Sequence, residues 1–146
     1  MTQPTSEFIN ILASKTYGNT PEFSLKGWHG LAKCVRVYDG DTAHFAFGFP
    51  DSNDHDHIYR FRCRMSNYNS AEIKSKSPDE REMAQKSKKA LEDLILDKLV
   101  ILDIREFDKY GRPLIIIETL DKINVNEFMV KNGYGKPYNG SGQKNY

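Results

Sequence analysis

Three kinds of chemistry meet within eleven residues at Arg62–Glu72. Arg64 could grip a phosphate, the run Ser66–Ser70 carries oxygen-bearing side chains suited to a hard cation, and Glu72 could activate water. The same residue types also suit an ordinary solvated ion pair after a strand, so the stretch alone leaves both readings open.

Two further groups could join it. Asp39 and Asp41 flank Gly40 between two alternating apolar runs, where they could hold a cation or simply cap a turn. Lys109, Tyr110 and Arg112 surround Gly111 in a second turn, where a phosphate chain could lie. A third group, Asp51–His57, holds three aspartates and two histidines. Its spacing builds no closed metal site, and a solvated loop is expected.

Strands must position these residues. Alternation from Tyr59 to Met65 puts Phe61, Cys63 and Met65 on one face and Arg60, Arg62 and Arg64 on the other. Asn67 can take a left-handed conformation, so a sharp bend follows Met65. Leu31–Tyr38 and Thr42–Phe49 read as a hairpin joined at Asp39-Gly40-Asp41, and Leu99–Phe107 and Pro113–Thr119 as another with Gly111 at the turn. Between them Ser77-Pro78-Asp79-Glu80 is a capping-box helix start, and Met83, Ala84, Ser87, Ala90, Leu91, Leu94 and Ile95 form its packing face, with Lys86, Lys88 and Lys89 solvated. Asn124–Glu127 opens a short helix that Gly133 stops. Residues 1–30 are expected to be an extension packed on the domain, with one short amphipathic turn at Phe8–Leu12 and Trp28 as anchor. The Gly- and Asn-rich end, from Tyr134 on, reads as loose, with 139–146 a flexible tail.

A chain of 146 residues with 38% hydrophobic and 28% charged content is expected to form one globular domain, here 31–138. No stretch could span a membrane, and the N-terminus lacks the pattern of a secretory signal. Cys34 and Cys63 sit in apolar strand patterns, which favours buried thiols and an intracellular, reducing location. A net charge of +1 means that nucleic-acid binding must come from a local cluster of Arg and Lys.

Short strands with turn signals in the order strand, strand, strand, helix, strand, strand, helix fit a small closed barrel carrying helices. From Ala32 to Tyr138 the chain resembles the staphylococcal nuclease (thermonuclease) family. The resemblance rests on Val37-Tyr38-Asp39-Gly40-Asp41-Thr42, on Arg64 and Glu72 eight residues apart, on Asp108-Lys109-Tyr110-Gly111-Arg112, and on Val125-Asn126-Glu127 followed by Gly133. It implies an α+β fold that is mainly β barrel: a five-stranded OB barrel with a helix after strand 3 and a short C-terminal helix.

The resemblance also implies a calcium-dependent phosphodiesterase that cuts DNA or RNA with little sequence preference and leaves 3′-phosphate and 5′-hydroxyl ends. Arg64, Glu72 and Arg112 would be catalytic, Asp41, Asn69 and the Ser70 carbonyl would hold Ca2+, and Lys109, Tyr110 and Tyr138 would contact substrate. The partner would be nucleic acid, with no membrane, and the protein a monomer. One departure weakens the cation site: Asn69-Ser70-Ala71-Glu72 stands where the family has Asp-Thr-Pro-Glu or Asp-Ala-Pro-Glu, so one negative charge is missing and calcium affinity should fall. The alternative is an OB module that binds single strands without cutting them.

Overall fold

The computed structural model describes residues 3–48 and 57–138. The connection 49–56, which holds most of the expected solvated loop, and the 139–146 tail lie outside the described residues. In chain order the elements are α1 (Ser6–Ala13), a 3-10 turn (Tyr17–Asn19), β1 (His29–Val37), β2 (Thr42–Gly48), β3 (Ile58–Met65), β4 (Tyr68–Ser70), α2 (Pro78–Ile95), β5 (Leu99–Phe107), β6 (Pro113–Thr119), α3 (Val125–Lys131) and β7 (Gly135–Pro137).

Five strands close into a barrel in the order β1-β2-β3-β6-β5. Closure needs one parallel contact, and β3 meets β6 there, with Arg64 opposite Leu114 and Met65 opposite Ile115. The alternation read from the sequence holds: Cys63 and Met65 are fully buried while Arg60 and Arg62 face solvent. Phe45, Leu102, Ile104, Ile115 and Ile117 fill the interior, and α2 and α3 cover it with Leu91, Ile95, Val125 and Met129.

Asn126 ties α3 to the parallel seam. Its Oδ1 accepts from the Ile117 N–H at 2.9 Å, and its Nδ2 donates to the carbonyls of Ser66 and Ile115, each at 2.9 Å. The Ile115 carbonyl also accepts from the Ser66 N–H at 2.8 Å, so the buried amide is fully used on backbone groups around the seam, which is why a polar residue is tolerated on the inner face of α3.

α2 begins as its sequence dictates, with Pro78 at the first turn and Ser77 Oγ accepting from the Glu80 N–H at 3.3 Å. The reciprocal half of the expected capping box is absent. The Ser77 N–H donates to Ser75 Oγ at 3.1 Å, and the Glu80 carboxylate instead accepts from the Glu72 N–H at 3.1 Å and the Ser75 hydroxyl at 2.7 Å.

Of the N-terminal thirty residues, Leu25 and Trp28 join the core. Trp28 stacks on Phe47 at 4.4 Å between ring centroids, and Phe47 stacks on Phe61 at 4.2 Å. A Cβ on Gly30 would lie 2.8 Å from the Trp28 ring, so glycine there lets the indole lie flat on β1. α1 buries none of its residues, and Phe8, Ile9, Ile11 and Leu12 each remain about half exposed.

The end of the chain departs from expectation. Tyr134–Tyr138 was expected to be loose, yet Gly135–Pro137 forms β7 against β4, with Tyr68 opposite Pro137, Asn69 opposite Lys136 and Ser70 opposite Gly135. The Tyr138 N–H extends the ladder to the Asn67 carbonyl at 3.1 Å. Glycine makes the pairing possible: a Cβ at 135 would sit 2.1 Å from the Asn69 carbonyl oxygen and 2.3 Å from the Tyr68 ring.

Candidate functional site

The β1–β2 turn delivers Asp41 to one end of the barrel. The Asp39 carboxylate accepts from the Asp41 N–H at 3.0 Å, an Asx turn that fixes the chain direction. Gly40 matters here for space and not for a left-handed conformation, since a Cβ would lie 2.7 Å from both Ser70 and Ser87. Asp41 is 3% exposed. Its Oδ1 accepts from the Thr42 hydroxyl and its Oδ2 from the Ser70 N–H, both at 3.0 Å.

β3 ends at the same place and brings in Arg64. Asn67 takes the left-handed conformation expected of it, at φ 62°, and turns the chain from β3 into β4. The guanidinium donates to the carbonyls of Met65 at 3.1 Å and Tyr68 at 3.3 Å, donates to Asn69 Oδ1, and stands 3.6 Å from Asp41 Oδ2. The Tyr138 ring lies 5.4 Å from it. Asp41, Arg64, Asn69, Ser70 and Tyr138 are therefore one assembly, drawn from the β1–β2 turn, β3, β4 and the residue after β7.

Glu72 sits on the exposed segment just beyond the buried Ser70-Ala71 pair, and its backbone is pinned to α2 by the Glu80 carboxylate. Arg112 stands two residues before Leu114, the residue that pairs with Arg64, so its turn adjoins the same barrel end. Its guanidinium is engaged locally: Nε donates to Asp108 Oδ2 at 2.6 Å, and the group lies 5.9 Å from the Tyr110 ring, which Lys109 approaches to 5.2 Å. Gly111 provides the left-handed residue of that turn at φ 83°.

Asp108 organises the turn, accepting also from the N–H groups of Tyr110 and Arg112, each at 2.9 Å. Burial pushes its carboxyl up. The Arg112 backbone N–H, the Arg112 guanidinium and the Tyr110 N–H outweigh that and leave it below the usual carboxylate value. The sequence reading gave Asp108 no role, although an aspartate four residues before an arginine in a glycine turn signals such an Asx turn. Glu80 was missed for a different reason, because its position advertised only helix capping.

Oxygen donors alone surround the Asp41 end, a chemistry suited to a hard cation and not to zinc. They make a thin set, and no cluster of three His, Cys, Asp or Glu occurs among the described residues. Asp41 brings one charge, already faced by Arg64. Asn69 has one side-chain oxygen, which Arg64 takes, and its buried Nδ2 has no hydrogen-bond partner among the described residues. An aspartate there could serve Arg64 with one oxygen and a cation with the other, whereas the amide offers a donor in the second position. Asp41, Asn69 and the Ser70 carbonyl are thus the oxygen-bearing groups that could hold a hard cation, and Asn69 brings no charge to them.

The two cysteines are free and buried, and burial pushes each thiol up to about 12, so both are protonated near neutral pH. No helix among the described residues is long and apolar enough to cross a membrane. A comparison with curated proteins found no match. Residues 62–146 match the family model described as staphylococcal nuclease homologue. That span holds the last residues of β3, the Arg64–Asn69 pair, Glu72 and the Arg112 turn, and it is more than half of the chain, which belongs to the staphylococcal nuclease homologue family.

Proposed function

We propose that the chain hydrolyses phosphodiester bonds of DNA or RNA with little sequence preference, leaving 3′-phosphate and 5′-hydroxyl ends. The observation that carries this reading is the placement of Arg64: a guanidinium held by two carbonyls, Asn69 and Asp41 at a barrel end whose neighbouring strand is led by Arg112. Binding alone does not require two such arginines beside a carboxylate.

Arg64 is pre-oriented, so a phosphate that reaches it replaces weak partners without reorganising the chain. Arg112, aligned by Asp108, clamps a second oxygen, and both contacts strengthen as the pentacoordinate state gains charge. Glu72, at the exposed rim, orients and deprotonates the attacking water. Lys109 and Tyr110, both exposed, meet neighbouring phosphates, and Tyr138 lies where a base can stack. Asp41, Asn69 and Ser70 would hold calcium, which when bound supplies charge neutralisation at a non-bridging phosphate oxygen.

The neutral amide of Asn69, whose Nδ2 has no partner among the described residues, favours a second reading, a member of the family that binds nucleic acid without cutting it. Digestion of single-stranded DNA in calcium and in chelator, run beside Glu72→Gln, separates the two. The nuclease reading expects calcium-dependent cleavage and a loss of about 10²- to 10⁴-fold in the variant, with oligonucleotide binding retained. Binding without cleavage at millimolar calcium would leave only the second reading.

A further inference from the structure

The outer face of β1, β2 and β3 concentrates positive charge far beyond the chain's net +1. These three strands carry Lys33, Arg36, Arg60, Arg62 and Arg64 and no aspartate or glutamate. Register brings the cations together, because Arg36 pairs with His44 and His44 with Arg62, while Lys33 pairs with Ala46 and Ala46 with Arg60. Lys33, Arg36, Arg60 and Arg62 are exposed, and among the described residues none of them forms an ion pair. The Arg62 guanidinium carbon stands over Tyr38, 4.5 Å from its ring centroid. His44 registers the crowding independently: partial burial and then Arg62, Arg60 and Arg36 lower its pKa from the ordinary value.

Such like charge, uncompensated among the described residues, costs stability unless a polyanion offsets it. We infer that this face is a track for single-stranded nucleic acid continuing from the Arg64 site, with Arg62, Arg60 and Arg36 on its phosphates and the Arg62–Tyr38 pair as a stacking platform. Continuity supports a strand over an acidic protein segment. Arg64, Arg62 and Arg60 project from alternate positions of one strand, about 7 Å apart, so a chain gripped at Arg64 meets the next two cations without turning. Stacking on Tyr38 and Arg62 is open to any base, which suits a track without sequence preference.

The inference rests on the nucleic-acid reading above, and oligonucleotide length separates the two. Binding of fluorescent oligothymidylates of about four and about sixteen nucleotides, the range of single-strand site sizes, is measured in chelator over a series of salt concentrations. The protein is compared with its Arg36→Gln/Arg60→Gln/Arg62→Gln variant, whose fold is checked by its melting curve. Each phosphate contact contributes a slope of about 0.7 in log K against log salt. The variant should therefore lose about a hundredfold on the longer strand at about 0.1 M salt, its slope should fall by about 2, and it should hold the short strand within about twofold of the parent. Equal affinity of parent and variant for the longer strand overturns the track and leaves the Arg64 site standing if the short strand still binds. Loss on both lengths alike, or displacement of the longer strand by polyglutamate as readily as by unlabelled oligonucleotide, also overturns it. Binding of neither strand by the parent overturns track and site together.

Discussion

Replacing Asn69 by aspartate adds one charge at the point where the assembly is short of it. Asn69 is 1% exposed, its oxygen is committed to Arg64, and its buried Nδ2 has no partner among the described residues. A carboxylate there would keep the Arg64 contact and turn a second oxygen toward the place of the orphaned N–H. A carboxylate and a divalent cation about 4 Å apart interact by about 8 kcal/mol at an effective dielectric near 20, and neutralisation by Arg64 together with the desolvation of both ions offsets most of that. About 1.4–2.8 kcal/mol remains, or a tenfold to hundredfold fall in the calcium concentration needed for half-saturation. Without calcium the same change places two carboxylates, at 41 and 69, around one arginine, so the melting temperature of the variant should depend on calcium far more steeply than that of the parent. Thermal melts and calorimetric titration over a calcium series test this without relying on catalysis. If the two titrations superimpose, or if the variant melts higher by the same amount with and without calcium, the substitution has merely tightened the Arg64 ion pair and position 69 is not a ligand.

Gly135→Ala should lower stability by about 2 kcal/mol, and the melting temperature by roughly 5–10 °C, because its Cβ would fall 2.1 Å from the Asn69 carbonyl and force β7 off β4. Loss of the Tyr138 amide from the protected set in hydrogen exchange would locate the damage. Glu80→Ala should leave the start of α2 intact, since Ser77 still caps the residue 80 N–H, but should cost about 1 kcal/mol and speed exchange of the Glu72 amide, whose acceptor it removes. Asp108 has a folded-state pKa below its ordinary value, so it contributes stability at neutral pH that is lost as pH falls through that depressed value. Urea melts of Asp108→Asn and the parent should accordingly differ most at neutral pH and converge between about pH 5 and pH 2; a gap that stays constant would show that the Asp108 charge is immaterial to the turn.

Strands with strict alternation announced themselves. Cys63 and Met65 inward against Arg60, Arg62 and Arg64 outward needed only the period of the pleat, and the barrel followed from the number and shortness of such runs. Left-handed turns at Asn67, Gly111 and Gly133 were equally legible, because few residue types tolerate a positive φ. The β4–β7 ladder was not. Each strand is three residues long, Gly135-Lys136-Pro137 has no alternation to read, and the partner is more than sixty residues away, so nothing local distinguishes it from coil. That ladder is what completes the candidate site: it aligns Asn69 against Arg64 and brings Tyr138 over the guanidinium. Motif spacing placed Asp41, Arg64 and Arg112 near one barrel end, but the engagement of each arginine depended on acceptors that spacing does not reveal, Asn69 and two backbone carbonyls for Arg64 and Asp108 for Arg112. The two arginines are thus restrained by different partners. Arg64 is held by the ladder and Arg112 by its own turn, so a change confined to β7 should disturb Arg64 and leave the geometry of the 108–112 turn unchanged.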